Sequence, residues 1–177
     1  MKFIDQLKEK AKQNKKTIVL PETSDMRTIE AAGKVLAEGI ANIILVGDKE
    51  DIMSRAGDID LSGASFVDPK NYEKFDEYVD AFVEMRRKKG MTEARAKELL
   101  LTNPLYFGCM MVKQDDADGM VAGAINASAD VLRAALQTLK TAPGTRIVSA
   151  FFLVVVPDCQ YGANGTFVFA DAGLNQS

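Results

Sequence analysis

Histidine is absent from the 177 residues of this sequence. That absence excludes the Ser/His/Asp triad, the Cys/His dyad and every zinc site that uses histidine as a ligand. Cysteine is scarce as well: Cys109 and Cys159 lie far apart and belong to no CxxC pair, so neither a zinc site nor a disulfide framework is indicated. We expect free thiols in a reducing compartment. The chemistry that remains rests on carboxylates, arginines, hydroxyls, side-chain amides and backbone amides.

Long apolar runs and an excess of positive charge are also missing. The longest apolar candidate, residues 148–156, reaches only the length of a strand, and charged residues interrupt the N-terminal segment too often for a signal peptide. The formal net charge of −3 provides no positive field that would hold a polyanionic backbone. We therefore expect a cytoplasmic protein that binds neither membranes nor nucleic acid.

The apolar residues that are present alternate between helical and strand patterns. Residues 17–20 and the continuous run ANIILV at 41–46 are typical of buried parallel strands, and the helix between them has Ser24 or Asp25 as its cap and ends near Gly39. Strand, helix and strand in this order form a βαβ unit. The alternation continues with helices at 49–56, 71–89, 92–101, 104–112 and 129–140, and with strands at 65–67 and 120–122. The pattern predicts a three-layer α/β/α fold with a mostly parallel sheet.

The strongest linker signal is Ala142-Pro143-Gly144. We assign residues 1–144 to an α/β domain one. The β-favouring runs at 146–156 and 166–170, with a turn-rich segment between them, predict a hairpin that begins a second domain at 145–177. Because a two-stranded hairpin is marginally stable alone in water, we expect this second domain to be truncated.

Three loops follow strands at the edge where open α/β sheets bind ligands: 21–25, 123–128 and 171–176. The second is the most informative, because Gly123 permits close backbone approach and Asn126 and Ser128 offer donors just before a helix. Arg133 follows within about one and a half turns of the helix start. These features suit a phosphate group. The alternative is that Ser128 is merely an N-cap and Arg133 a surface residue.

The sequence pattern does not decide the roles of two arginines and one cysteine. Arg86 continues the apolar stripe of Phe82, so it either extends harmlessly to solvent or points into a cleft, whereas Arg87 faces about 100° away. Cys159 lies in a turn beside the second strand run. With no histidine to deprotonate it, we expect an exposed thiol that borders a cleft rather than a nucleophile.

Five segments together resemble the N-terminal half of phosphotransacetylases (phosphate acetyltransferases), and they extend over nearly the whole chain: TIVLPE, ANIILVGD, DGMVAGA, ADVLRAALQTLKTAPG and VSAFFLVVVPDCQYGANGTFVFADAGLN. The resemblance implies a two-domain α/β enzyme with an isocitrate/isopropylmalate dehydrogenase-like fold, an active site between the domains and a homodimeric assembly. Such enzymes interconvert acetyl-CoA and phosphate with acetyl phosphate and CoA, and they need no metal or redox cofactor.

The resemblance also implies roles for individual residues. The arginine of the family's LRP motif matches Arg133, and that of its ELRK stretch matches Arg86, with Arg87 as the competing alignment. Both are implied to contact CoA or acyl-phosphate oxyanions. The family's catalytic serine, arginine and aspartate lie beyond Ser177, so no catalytic residue is assigned and we expect the 177 residues alone to be inactive.

The sequence departs from many relatives at two positions. It has Asn126-Ala127-Ser128 where they have His followed by Ser/Thr-Thr, and Ala134 where they have proline. These differences leave a phosphate butyryltransferase-like activity open. A second alternative is a non-catalytic acyl-phosphate or CoA-binding regulatory module, like the domain appended to some malic enzymes.

Overall fold

The computed structural model describes residues 3–170 of the chain. Its helices are α1 (Phe3–Gln13), α2 (Met26–Glu38), α3 (Lys49–Ala56), α4 (Phe75–Arg86), α5 (Glu93–Thr102), α6 (Pro104–Lys113) and α7 (Ser128–Thr138). Its strands are β1 (Lys16–Leu20), β2 (Ala41–Val46), β3 (Ser65–Val67), β4 (Gly119–Met120), β5 (Phe151–Val155) and β6 (Thr166–Ala170). Short 3-10 helices lie at Pro69–Asn71 and Arg87–Lys89. No helix in this part of the chain is long and apolar enough to cross a membrane.

The described residues divide into two compact units. One comprises residues 11–140, and the other comprises residues 3–10 together with 141–170. The assignment of residues 1–144 and 145–177 to two domains stays a prediction.

The larger unit contains a four-stranded sheet in the order β3-β2-β1-β4, and every neighbouring pair is parallel. Side chains of β2 alternate between two cores, as the two-residue repeat of a strand requires. Ile44 and Val46 pack with α4, α5, α6 and α7, whereas Ile43 and Leu45 pack with α2 and α3. Helices therefore cover both faces of the sheet, and the predicted α/β class with a mostly parallel sheet is confirmed.

Helix α6 crosses the sheet at Gly108. A Cβ atom built there would lie 2.8 Å from the Met120 sulfur and 3.3 Å from Cγ1 of Val19. A side chain at this position would displace the Met120 sulfur and press on Val19, so glycine lets α6 approach β1 and β4 without such a shift. Neighbouring Cys109 is fully buried.

The predicted helix at 71–89 is wrong at its start. Tyr72 is extended (φ −79°, ψ 124°), and α4 begins only at Phe75. Tertiary contacts explain this conformation: the Tyr72 hydroxyl donates to Asp116 at 3.1 Å, and its ring packs edge-on against Phe107 at 5.6 Å. At the other end, Gly90 adopts the left-handed conformation (φ +75°) of a helix stop, as predicted.

The smaller unit contains the predicted hairpin. Strand β5 pairs antiparallel with β6, from Phe151 opposite Ala170 to Val155 opposite Thr166. The predicted strand at 146–156 is longer than the observed one, because β5 covers only Phe151–Val155. Many large apolar side chains of the hairpin are exposed, among them Phe151, Phe152, Val168 and Phe169.

Candidate functional site

The order of the strands defines where a ligand site is expected. From the central strand β1, the chain adds β2 and β3 on one side and later returns to add β4 on the other. The loops that follow β1 and β4 therefore separate at the carboxyl edge of the sheet. In open α/β sheets this topological switch point forms the ligand crevice. Two of the three predicted loops, 21–25 and 123–128, meet here, and the third, 171–176, lies outside the described residues.

A carboxylate of the chain itself binds the loop amides at this crevice. Oε2 of Glu22 accepts hydrogen bonds from the backbone nitrogens of Gly123 (2.6 Å) and Ala124 (2.7 Å). Oε1 accepts from the backbone nitrogens of Ile125 (3.2 Å) and Asn126 (2.9 Å), and from the Asn126 side-chain amide (2.7 Å). Glu22 is only 2% exposed. The backbone amides that were predicted to receive a phosphate thus already bind an anion.

The Glu22 contacts explain both its ionisation and the glycine of the loop. Burial acts to raise the pKa of Glu22, but hydrogen bonds from the Asn126 side chain and the loop amides outweigh it, so the pKa is lowered. Gly123 has φ +108°, and a Cβ atom there would have open space around it. Glycine is needed for this backbone conformation rather than for the close approach that the sequence indicated.

Arg27 holds the same loop from its exposed side. Its Nη2 donates to the Ala124 carbonyl at 2.5 Å and to Asp25 at 2.7 Å. Asp25 in turn caps α2 by accepting from the Arg27 backbone nitrogen. Hydrogen bonds from Arg27 lower the pKa of Asp25, so this carboxylate stays charged. Glu22 and Arg27 together therefore bind both the backbone amides and a carbonyl of the loop after β4.

A separate cavity of about 420 Å³ lies on the α4, α5, α6 and α7 side of the sheet. Its charged lining residues are four cations and one anion: Arg86, Lys89, Arg95, Arg133 and Glu98. Tyr106, Gln137, Met91, Leu99 and Thr102 complete the wall. An excess of positive charge facing a concave surface favours an anionic ligand.

Two observations concern the arginines that line this cavity. Nε of Arg86 is buried and has no hydrogen-bond partner among the described residues. Burial raises the pKa of the Tyr106 phenol, and the nearby positive charges of Arg133 and Arg86 act to lower it. Arg133 also donates to Asp130 of its own helix. A buried nitrogen without an acceptor is uncommon in folded proteins.

The structure thus brings together only some of the residues that the sequence singled out. Arg86 and Arg133 line one cavity, whereas Arg87 is exposed and pairs with Glu84 at 3.5 Å. Ser128 is exposed and is the first residue of α7, so it is not the N-cap; that position belongs to Ala127. The Asn126 amide contacts Glu22, and Cys159, partly exposed, lies in the hairpin unit.

The sequence reasoning missed Glu22, Lys89 and Arg95. Glu22 ends the TIVLPE segment, directly after a buried strand and beside the proline, and this position at the carboxyl edge of the sheet was the available signal. Lys89 and Arg95 gave no signal, because each is one of several charged residues on an exposed helix surface. Within residues 3–170 no group of three or more acidic, cysteine or histidine residues is arranged to hold a metal ion.

The fold and this site define an α/β protein with a mostly parallel sheet and a cavity whose lining has four cations and one anion. The family model described as "Phosphate acetyl/butaryl transferase" matches residues 2–177, so the chain belongs to that family. It is 54% identical over 174 residues to the phosphate acetyltransferase of Acetivibrio thermocellus, covering 98% of this chain and 52% of the relative. It is 52% identical to that of Thermoanaerobacterium thermosaccharolyticum, covering 100% of this chain and 54% of the relative.

A solved structure gives the same result. The EutD phosphotransacetylase from Staphylococcus aureus matches with a TM-score of 0.85 at 35% identity, over 98% of this chain and 51% of that one. The chain therefore spans about half the length of the relatives it matches. Both comparisons confirm the resemblance to an N-terminal half of phosphate acetyltransferases.

Proposed function

We propose that this chain provides substrate-binding residues of a phosphate acetyltransferase, which transfers an acetyl group reversibly between CoA and phosphate. The observation that carries the proposal is the cavity that Arg86 and Arg133 line together, in which four cations face a single anion. The relatives that are named phosphate acetyltransferases support the reaction.

The chemistry of the cavity fits phosphorylated substrates. CoA, acetyl phosphate and phosphate all carry phosphoryl oxygens, and the planar guanidinium group binds two such oxygens at once. Arg86 and Arg133 are the binding residues that we assign to these oxygens, and Lys89 and Arg95 add positive charge at the same cavity. Ser128, Asn126, Arg87 and Cys159 lie outside the lining of this cavity, so their substrate contacts stay predictions.

The finer features of the enzyme belong to the same proposal. We propose an isocitrate/isopropylmalate dehydrogenase-like fold, a homodimeric assembly, a cytoplasmic location and a reaction that uses CoA as a substrate, without a metal or redox cofactor. No residue is assigned to proton transfer or to stabilisation of the oxyanion. The inactivity of the 177 residues by themselves also stays a prediction.

Adjacent arginines provide a matched test. We expect Arg86→Ala to raise the dissociation constant for CoA at least about tenfold, measured by titration calorimetry, because roughly 1.4 kcal/mol of binding is lost. Arg87→Ala should change it less than about twofold, because this side chain lies on the exposed side of the helix end. Equal effects of the two substitutions would contradict the assignment of the cavity. Acetyl-CoA and butyryl-CoA in parallel titrations report the acyl preference, since the family model includes both acyl groups.

A further inference from the structure

Helix α7 depends on the preceding loop for its anchorage. Its N-cap residue is Ala127, which has no side-chain acceptor for the first helical amides, so the usual capping hydrogen bond is missing. Residues 123–126 come immediately before this cap, and their backbone amides are held by Glu22. The start of α7 is therefore fixed through Glu22 rather than through a cap of its own.

The same helix carries Arg133 to the cavity. Ala134 and Thr138 are fully buried and set which face of α7 packs on the core, while Arg133, next to Ala134, remains more than half exposed at the cavity wall. Buried residues fix the rotation of the helix about its axis. The loop at its N-terminus contributes to its position along that axis: Glu22 accepts from the backbone amides of residues 123–126, and Arg27 donates to the Ala124 carbonyl on the exposed side.

We propose that Glu22 is a positioning residue: its carboxylate holds residues 123–126 and thereby sets where α7 places Arg133 in the cavity. The inference rests on the proposed function, since it concerns the same arginine. Glu22 does not line the cavity of Arg86 and Arg133. It acts on binding through the loop and the helix.

Both oxygens of Glu22 are needed for this role. One oxygen accepts two N–H groups and the other accepts three. A glutamine at this position would have the same shape, but its NH₂ group is a donor. In either orientation of the amide, at least two N–H groups would face a donor instead of an acceptor. Glu22→Gln therefore removes the anchorage while it preserves the volume of the side chain.

Asp118→Asn supplies the matched control. Asp118 is also a carboxylate that accepts a backbone amide of β1, that of Thr17 at 2.8 Å, and it contacts Lys16 at 2.8 Å. It precedes β4, so it lies at the opposite edge of the sheet from Glu22. Its substitution tests the general effect of losing a carboxylate beside β1 and β4, without touching the loop before α7.

The experiment combines amide exchange with a double-mutant cycle. In Glu22→Gln, NMR-detected hydrogen exchange should become at least about tenfold faster at Gly123, Ala124, Ile125 and Asn126, and also in the first turn of α7, as expected when an anchoring contact is lost. Glu22→Gln should raise the dissociation constant for CoA at least about fivefold when Arg133 is present. In the Arg133→Ala background the same substitution should raise it less than about twofold, because the two residues act as one unit. Asp118→Asn should leave both the exchange of these amides and the affinity at their wild-type values.

Other results would contradict either the role of Glu22 or the proposed function, and the two cases can be told apart. Slow exchange retained in Glu22→Gln, or the same loss of affinity in both backgrounds, would show that Glu22 does not position Arg133. A wild-type protein that does not bind CoA would overturn the proposed function, and the exchange data would then still decide whether Glu22 anchors α7. If Glu22→Gln does not fold, Glu22→Asp takes its place: it keeps the charge but withdraws it by one methylene group, so we expect smaller changes of the same sign.

Discussion

Asn126 donates two hydrogen bonds to a single oxygen of Glu22, one from its backbone nitrogen at 2.9 Å and one from its side-chain amide at 2.7 Å. The two residues are 104 positions apart in the sequence, and their contact joins the loops after β1 and β4. The amide of Asn126 therefore serves the structure of the chain at the position where the sequence indicated a ligand contact.

We expect Asn126→Ala to lower the free energy of unfolding by about 2 kcal/mol, because a hydrogen bond to a buried carboxylate is lost. Urea denaturation measures the change. Asn42→Ala is the control: Asn42 is exposed on β2, and its substitution should stay within about 0.5 kcal/mol of the wild type. A loss no larger than that of the control would contradict the structural role of the Asn126 side chain.

The stability that Glu22 provides should disappear in acid. Its pKa is lowered in the folded state, so the contribution is present above the ordinary pKa of 4.5 and is lost as the pH falls through the folded-state value. We expect the difference in unfolding free energy between the wild type and Glu22→Gln to be largest near neutral pH and to shrink below about pH 4.5.

Urea titrations of both proteins at several pH values measure this difference. Other carboxylates with lowered pKa values, such as Asp25 and Asp118, are present in both proteins, and their effects cancel. A difference that stays constant down to the lowest pH at which both proteins fold would contradict the prediction.

We expect CoA binding to depend on the planar guanidinium group of Arg133 as well as on its charge. Arg133→Ala should raise the dissociation constant for CoA at least about tenfold, whereas Arg133→Lys should recover only part of that loss, since an ammonium group cannot bind two oxygens in the same plane. Titration calorimetry with CoA and with acetyl phosphate gives both values. Wild-type affinity in both variants, with normal folding, would show that Arg133 is a surface residue that pairs only with Asp130.

Asp116 should be important for the stability of the larger unit. The hydroxyls of Tyr72 and Tyr78 and the ammonium group of Lys74 all donate to this carboxylate. We expect Asp116→Asn to lower the unfolding free energy by about 2–4 kcal/mol, because partners that are partly buried lose a charged acceptor. The neighbouring Asp115→Asn is the control. Asp115 is exposed with φ +59°, a conformation that asparagine also tolerates, so its stability should change little, and equal losses would contradict the prediction.

The two thiols should react at very different rates. Cys109 is fully buried, and burial raises the pKa of its thiol, which leaves little thiolate available. Cys159 is partly exposed. In the folded protein a disulfide reagent should modify one thiol quickly, and the second should react only after denaturation. Cys159→Ala should abolish the fast phase, and a fast phase that persists in this variant would place the accessible thiol at Cys109.

Local patterns were sufficient to predict most of the helices and strands. The continuous run at β2, the cap at Ser24 or Asp25 and the stops at Gly39 and Gly90 each depend on a few neighbouring residues. All four features are found, and the cap is Asp25. The start of α4 was predicted wrongly, because Tyr72 is held extended by partners distant in sequence. Local propensity contains no information about such contacts.

In the candidate site, too, local patterns indicate some residues, while others depend on contacts between distant parts of the chain. Arg86 was predicted from its place on a helical stripe, together with the resemblance to a family; it lines the cavity, and its substrate contact stays a prediction. Glu22 was missed because its role depends on five donors in a loop about a hundred residues later, and neither segment alone indicates the pairing. The choice between Arg86 and Arg87 needed the side-chain positions, since the two residues are adjacent and chemically identical.

Glu22 also determines whether the backbone amides of residues 123–126 are available to bind an anion from solution. Backbone amides bind anions in many proteins of this architecture, and no substitution of a side chain removes them. Here those amides are already satisfied by Glu22, and the cations that line the separate cavity are the side chains of Arg86, Lys89, Arg95 and Arg133. The charge and shape preference of this cavity can consequently be altered one residue at a time, while the sheet and its loops stay unchanged.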